Sequence, residues 1–265
     1  MNSKKGQLTV FVIIGIIILI SIFSFIFLKS WLNQKEIEVE EKKAQEINTA
    51  SSAVKDFVEQ CIFSTAKEAI LENSWQGGYF LLPEHATQDL FSNLPYHYYL
   101  GQDLSLNDDF FATELGAYVD NSINFCLQDF KYLNSQGYNV TFENSSSEVV
   151  LTPKGVIVKT AFPLLLSLGE HTKTFDVFQI DIPAEQFYED LLIIREIAES
   201  MEEEEICLTC FSDLAYDNDL FVDILPYYNN TYVFDIVDNN YLIKDKNYHL
   251  QFAVQYNGTG EINET

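Results

Sequence analysis

Hydrophobic and polar positions divide this chain into two unlike parts. From Leu8 to Leu28 there is no charged residue, and seventeen of the positions are Ile, Leu, Val or Phe. A helix over that run spans roughly 31 Å at about 1.5 Å per residue, enough to cross a bilayer's hydrocarbon core. Its apolar side chains favour insertion by about 5–10 kcal/mol. A buried helix of a soluble core rarely needs so long an uncharged run. A cleaved signal peptide would be shorter and end at small residues, whereas this run leads into Lys29-Ser30-Trp31-Leu32. The pattern predicts a retained transmembrane helix.

Beyond it the periodicity becomes amphipathic. Ile47, Ala50, Val54, Phe57, Val58, Cys61, Ile62, Ala66 and Ala69 recur at spacings of three and four, the stripe of a helix with one buried face. The charged stretch 29–46 between these segments reads as a solvated helical stalk. Trp75-Gln76-Gly77-Gly78 should end the helix, since the glycines permit a sharp reversal. A loop-rich stretch with Pro83 and Pro95 follows. A second amphipathic helix is expected over about 108–133, on the stripe Phe111, Leu115, Val119, Ile123, Cys126, Leu127 and Phe130.

From Tyr138 the period shortens to two. Val149-Val150-Leu151 and Val156-Ile157-Val158 flank a turn and read as a hairpin. Phe162 to Leu168 and Phe175 to Ile182 read as strands around Gly169-Glu170. Pro183 suits the first turn of a third helix with the stripe Phe187, Leu191, Ile194, Ile197 and Met201. Its acidic end, Glu202 to Glu205, opposes the helix dipole. Stretches 220–225, 231–237 and 249–256 read as antiparallel strands, the first two joined across Tyr228-Asn229-Asn230. The expected class is α+β: a leader (1–7), a transmembrane helix (8–28), a stalk (29–46) and a head of antiparallel strands and helices (47–265), with a sub-boundary near 134–137.

Charge adds orientation. Lys4 and Lys5 precede the apolar run, and Lys29 follows it, soon joined by Glu36, Glu38, Glu40 and Glu41. The short basic N-terminus predicts a cytoplasmic start and an extracellular head. Fifteen Lys and Arg against forty Asp and Glu give a formal charge of −25, which argues against a nucleic-acid partner. Hydrophobic residues make up 47% of the chain, ample for a packed core.

Lys5-Gly6-Gln7 set directly before the apolar helix resembles the class III signal sequence of archaeal type IV pilins and archaellins. The resemblance implies cleavage between Gly6 and Gln7 by a membrane prepilin peptidase, then packing of the retained helix with its copies in a filament. Members commonly carry Glu five residues into the mature chain, where Phe11 stands here. Lys4-Lys5-Gly6-Gln7-Leu8-Thr9-Val10-Phe11 and the later Gln76-Gly77-Gly78-Tyr79 are also similar to single-span surface proteins of small-genome archaea, a likeness that implies no activity.

Four cysteines bound the chemistry. Cys61 and Cys126 each lie on the apolar stripe of a long helix, so facing helices would pair them; free buried thiols are the alternative. Cys207-Leu208-Thr209-Cys210 has the spacing of a structural disulfide, a redox pair or half a zinc site. The preceding glutamates oppose a reactive thiolate, and a zinc site needs two further ligands, so a structural role is expected. Asp213, Asp217, Asp219 and Asp223 are calcium candidates without the glycine and spaced Glu of an EF-hand. His85, His97, His171 and His249 are scattered, no nucleotide or hydrolase motif occurs, and no cofactor is expected. Asn139, Asn144, Asn229, Asn257 and Asn263 match the N-glycosylation pattern. Tyr96-His97-Tyr98-Tyr99 and Tyr227-Tyr228 suit either a contact surface or a core.

These readings favour a membrane-anchored, pilin-like surface protein for assembly or adhesion. Its partners would be the membrane, other copies through the apolar helix, and an unidentified surface ligand. The alternative is an uncleaved envelope or ligand-binding protein; an extracellular enzyme is a minor third reading.

Overall fold

The computed structural model describes residues 4–87, 93–105, 107–199 and 208–257. Helix α1, Lys4–Trp75, runs without interruption for 72 residues, about 108 Å at the usual rise. It contains no proline, and its interior glycine Gly15 has open space around it. A Schellman motif ends it: Gly78 N–H donates to the Asn73 carbonyl at 2.6 Å and Gly77 N–H to the Ser74 carbonyl at 3.1 Å. Gly77 has φ +60°, and a Cβ there would stand 2.5 Å from Pro95 Cγ and 2.8 Å from the Gln251 carbonyl. Only glycine suits that position.

The head is α+β. Strands β1 (Tyr96–Tyr99) and β2 (Gln102–Asp103) lie where a loop is expected from sequence. Helix α2, Asp108–Leu127, is capped by Asn107, whose Oδ1 accepts from Phe110 N–H at 2.8 Å. It does not continue to residue 133. Gln128, Asp129 and Phe130 all adopt left-handed φ of 49–53°, which breaks the helix before the short α3, Lys131–Ser135.

Four strands follow: β3 (Asn139–Phe142), β4 (Ser146–Thr152), β5 (Gly155–Leu168) and β6 (His171–Pro183). Long β5 pairs with β6 along one edge and divides its other edge between β4 and β3. Helix α4 is Glu185–Glu199, so Pro183 closes β6 and does not open the helix. Its N–H is absent where an edge strand needs no donor. Helix α5 (Leu208–Asp217) precedes β7 (Leu220–Pro226), β8 (Thr231–Ile243) and β9 (Lys246–Gln255).

These strands form a second sheet in the order β2-β1-β9-β8-β7. The expectation of wholly antiparallel strands fails at one place: β1 runs parallel to β9. A pairing between chain segments some 150 residues apart leaves no local periodic signal.

One apolar cluster extends from Ile47 to Tyr256 and includes residues on both sides of 134–137. The far half of α1 contributes Val54, Val58, Cys61, Ile62, Ala66, Ala69 and Ile70. Phe57 departs from the expected stripe: it is 42% exposed and meets Phe130 edge-on at 6.1 Å. Gly116 of α2 lets β4 approach, for a Cβ there would be 2.8 Å from the Ser147 carbonyl. Asp120 of α2 then accepts from Ser147 N–H at 3.0 Å and from its hydroxyl at 2.7 Å. Of the third helix's expected stripe, Phe187 and Leu191 are buried; Met201 lies outside the described residues.

Candidate functional site

The first feature with functional content is the near half of α1. Ile13–Trp31 has a mean hydropathy of 2.5 and none of it is buried in the head. Within it, Ser21 Oγ donates to the Ile17 carbonyl at 2.8 Å, a hydrogen bond internal to the helix of the kind that lipid requires. The segment is long and apolar enough to cross a membrane. Gly6, Gln7 and Phe11 all fall within α1.

Between span and head, α1 is not a bare stalk. The β5–β6 hairpin lies along it, and the hairpin's turn reaches Lys43 and Glu40. His171 Nε2 stands 2.9 Å from Glu40 Oε2, and Lys43 Nζ is 3.1 Å from Glu40 Oε1. Hydrogen bonds from Lys43 and then His171 hold Glu40 below the usual carboxylate range. Through this brace the head touches α1 as far as Glu40, beyond Ile47.

Cys61 and Cys126 are bonded, fastening α1 to α2. Beside them Ala53, Phe57, Phe130, Tyr132 and Leu133 line an apolar groove of about 440 Å³. Cys207 lies outside the described residues, and Cys210 falls within α5.

The second sheet carries two polar arrangements that no motif announces. Trp75 stacks on His249 with centroids 4.7 Å apart, and His249 Nδ1 lies 3.1 Å from Asp235 Oδ1 on the outer face. His97 is buried, stacks on Phe252 at 4.3 Å and donates from Nε2 to the Gly77 carbonyl at 2.8 Å. Burial pushes its pKa down to about 4, so the ring is neutral and ties β1 to the end of α1. Tyr96-His97-Tyr98-Tyr99 is thus mainly core, whereas Tyr228 is 76% exposed in the β7–β8 turn.

Two acids are buried together. Asp190 of α4 and Asp238 of β8 are almost wholly shielded from solvent, and their carboxyls face each other. Asp190 Oδ1 accepts from Gln186 Nε2 at 3.2 Å, and Asp238 Oδ1 from Asn240 N–H at 2.6 Å. Each Oδ2 has no protein partner. Desolvation first, then the Asp238 charge, pushes Asp190 up to about 7. Nearby Tyr241 is pushed up to about 12, chiefly by burial.

The remaining candidates are dispersed. Asp213 and Asp217 are exposed on α5, Asp219 lies in the following turn, and Asp223 sits on β7 opposite Asp235. No group of three or more His, Cys, Asp or Glu is assembled as a metal site among the described residues. Asn139, Asn144, Asn229 and Asn257 are exposed; Asn263 lies outside the described residues. No family model, curated protein or solved structure matches the chain.

Proposed function

We propose that this chain is a single-pass cell-surface protein of pilin-like build, holding an acidic, disulfide-fastened head outside the cell for surface assembly or adhesion. The observation that carries the reading is α1 itself: one unbroken helix whose near half is apolar and exposed and whose far half is the spine of the head. That is how pilin subunits are built. Lys5-Gly6-Gln7 directly before the apolar run supports processing at Gly6–Gln7. The disulfide suits an oxidising exterior, and the flanking lysines support a cytoplasmic N-terminus. The implied partners are the lipid bilayer, further copies through the apolar helix, and a surface ligand met by the head.

Phe11 favours a second reading, an uncleaved anchor that displays the same head without forming filaments. Catalysis draws no support from the buried acids, since neither Asp190 nor Asp238 reaches solvent. Intact mass and N-terminal sequencing of membrane-extracted protein, with and without an archaeal prepilin peptidase, separate the two readings. A start at Gln7 that requires active peptidase supports the pilin-like one. An uncut chain, under conditions that process a control pilin, leaves the anchor.

A further inference from the structure

Two carboxyls facing each other away from water cannot both ionise cheaply, and a positive charge must come between them. We propose that Asp190 and Asp238 share a single proton between their carboxyls, and that this shared proton latches α4 to β8 in a pH-sensitive way.

The hydrogen-bond inventory carries the proposal. Each Oδ1 has a donor within the protein, Gln186 for Asp190 and Asn240 for Asp238, while each Oδ2 has none. One proton shared by the pair removes one of the two buried charges and gives one carboxyl a donor for the other. Neither carboxyl is in an ion pair with Lys, Arg or His among the described residues. The groups that face the pair are Gln186 and Glu189 on α4, Tyr241 on β8, Tyr248 on β9 and, beyond Tyr248, Ser74 on α1. None supplies a positive charge, and Glu189 adds a negative one. Folding therefore takes one proton from solvent, and loss of that proton leaves two like charges between α4 and β8.

The sign follows. Asp190 titrates higher in the folded protein than in the unfolded chain. Its contribution is fully present below the ordinary Asp range and is lost as pH rises towards about 7. His97 has the opposite sign, for its folded pKa lies below the ordinary histidine value and it destabilises as pH falls towards about 4. The two slopes overlap, so the wild-type curve alone understates each.

The test uses the full chain in detergent, comparing wild type with Asp190→Asn and Asp238→Asn. Near pH 6 the wild type should show the infrared C=O stretch of a protonated carboxyl, absent from both variants. Between pH 4 and pH 8 the wild-type Tm should fall by about 10 °C relative to Asp190→Asn. No such band in the wild type, or the same pH slope in all three proteins, overturns the proposal. So does a Ca²⁺ or Na⁺ titration that raises the wild-type Tm at pH 6 in the absence of the band, which would assign the pair to a metal ion. Should the variants fail to fold, the infrared pH titration of the wild type decides alone.

Discussion

Between Ile13 and Trp31, α1 presents apolar side chains on every side, with Leu19 and Phe23 68% and 73% exposed. Between Ile47 and Leu71 the same helix hides Val58, Ile62 and Ala69 completely or nearly so and turns Lys55 and Glu59 outward. The backbone is the same in both halves; the surroundings differ. The near half suits a solvent as apolar as its own side chains, and the far half suits an interface between protein and water. The lesson is that one continuous helix can belong to two solvents, provided nothing between them breaks it. Residues 29–46 contain neither Gly nor Pro.

That contrast can be broken one half at a time. Replacing Cys61 and Cys126 by Ser removes a bridge closing 65 residues. It should cost the head about 4 kcal/mol in denaturant unfolding under non-reducing conditions, with membrane retention unchanged. Leu19→Arg should do the reverse, opposing insertion by about 3 kcal/mol in alkaline-extraction partitioning while the head's unfolding midpoint stays put. Gly77→Ala forces a Cβ into Pro95 and the Gln251 carbonyl at a left-handed position. A loss of about 2 kcal/mol in head stability is expected, again without effect on the span. The smallest effect belongs to the brace. His171→Ala should leave the melting temperature unchanged and show only as faster proteolysis near Glu40, because the contact is exposed.

The sequence reveals what is local and periodic. The stripes of α1 and α2, the β4–β5 hairpin, and the reversal at Gly77-Gly78 are all legible, because spacing and glycine placement carry them. The break at Gln128-Asp129-Phe130 is not, for it holds no glycine or proline, and a lone Asp is a weak sign of a left-handed turn. Pairing of β1 with β9 joins distant segments, so composition is silent about it. The acid pair is hidden differently: Asp190 and Asp238 are two acids among forty, and only packing of α4 on β8 brings them together. His97 likewise looks like one of four scattered histidines until the carbonyl of Gly77 is seen beside it.

Protease treatment of intact cells expressing the full chain tests the two-solvent helix most directly. Cleavage within residues 32–46 should release a soluble head with the Cys61–Cys126 bridge intact and leave an N-terminal peptide in the membrane pellet. A head protected until the cells are lysed would reverse the orientation. A whole chain washed from the membrane by alkaline extraction would contradict the account at its root.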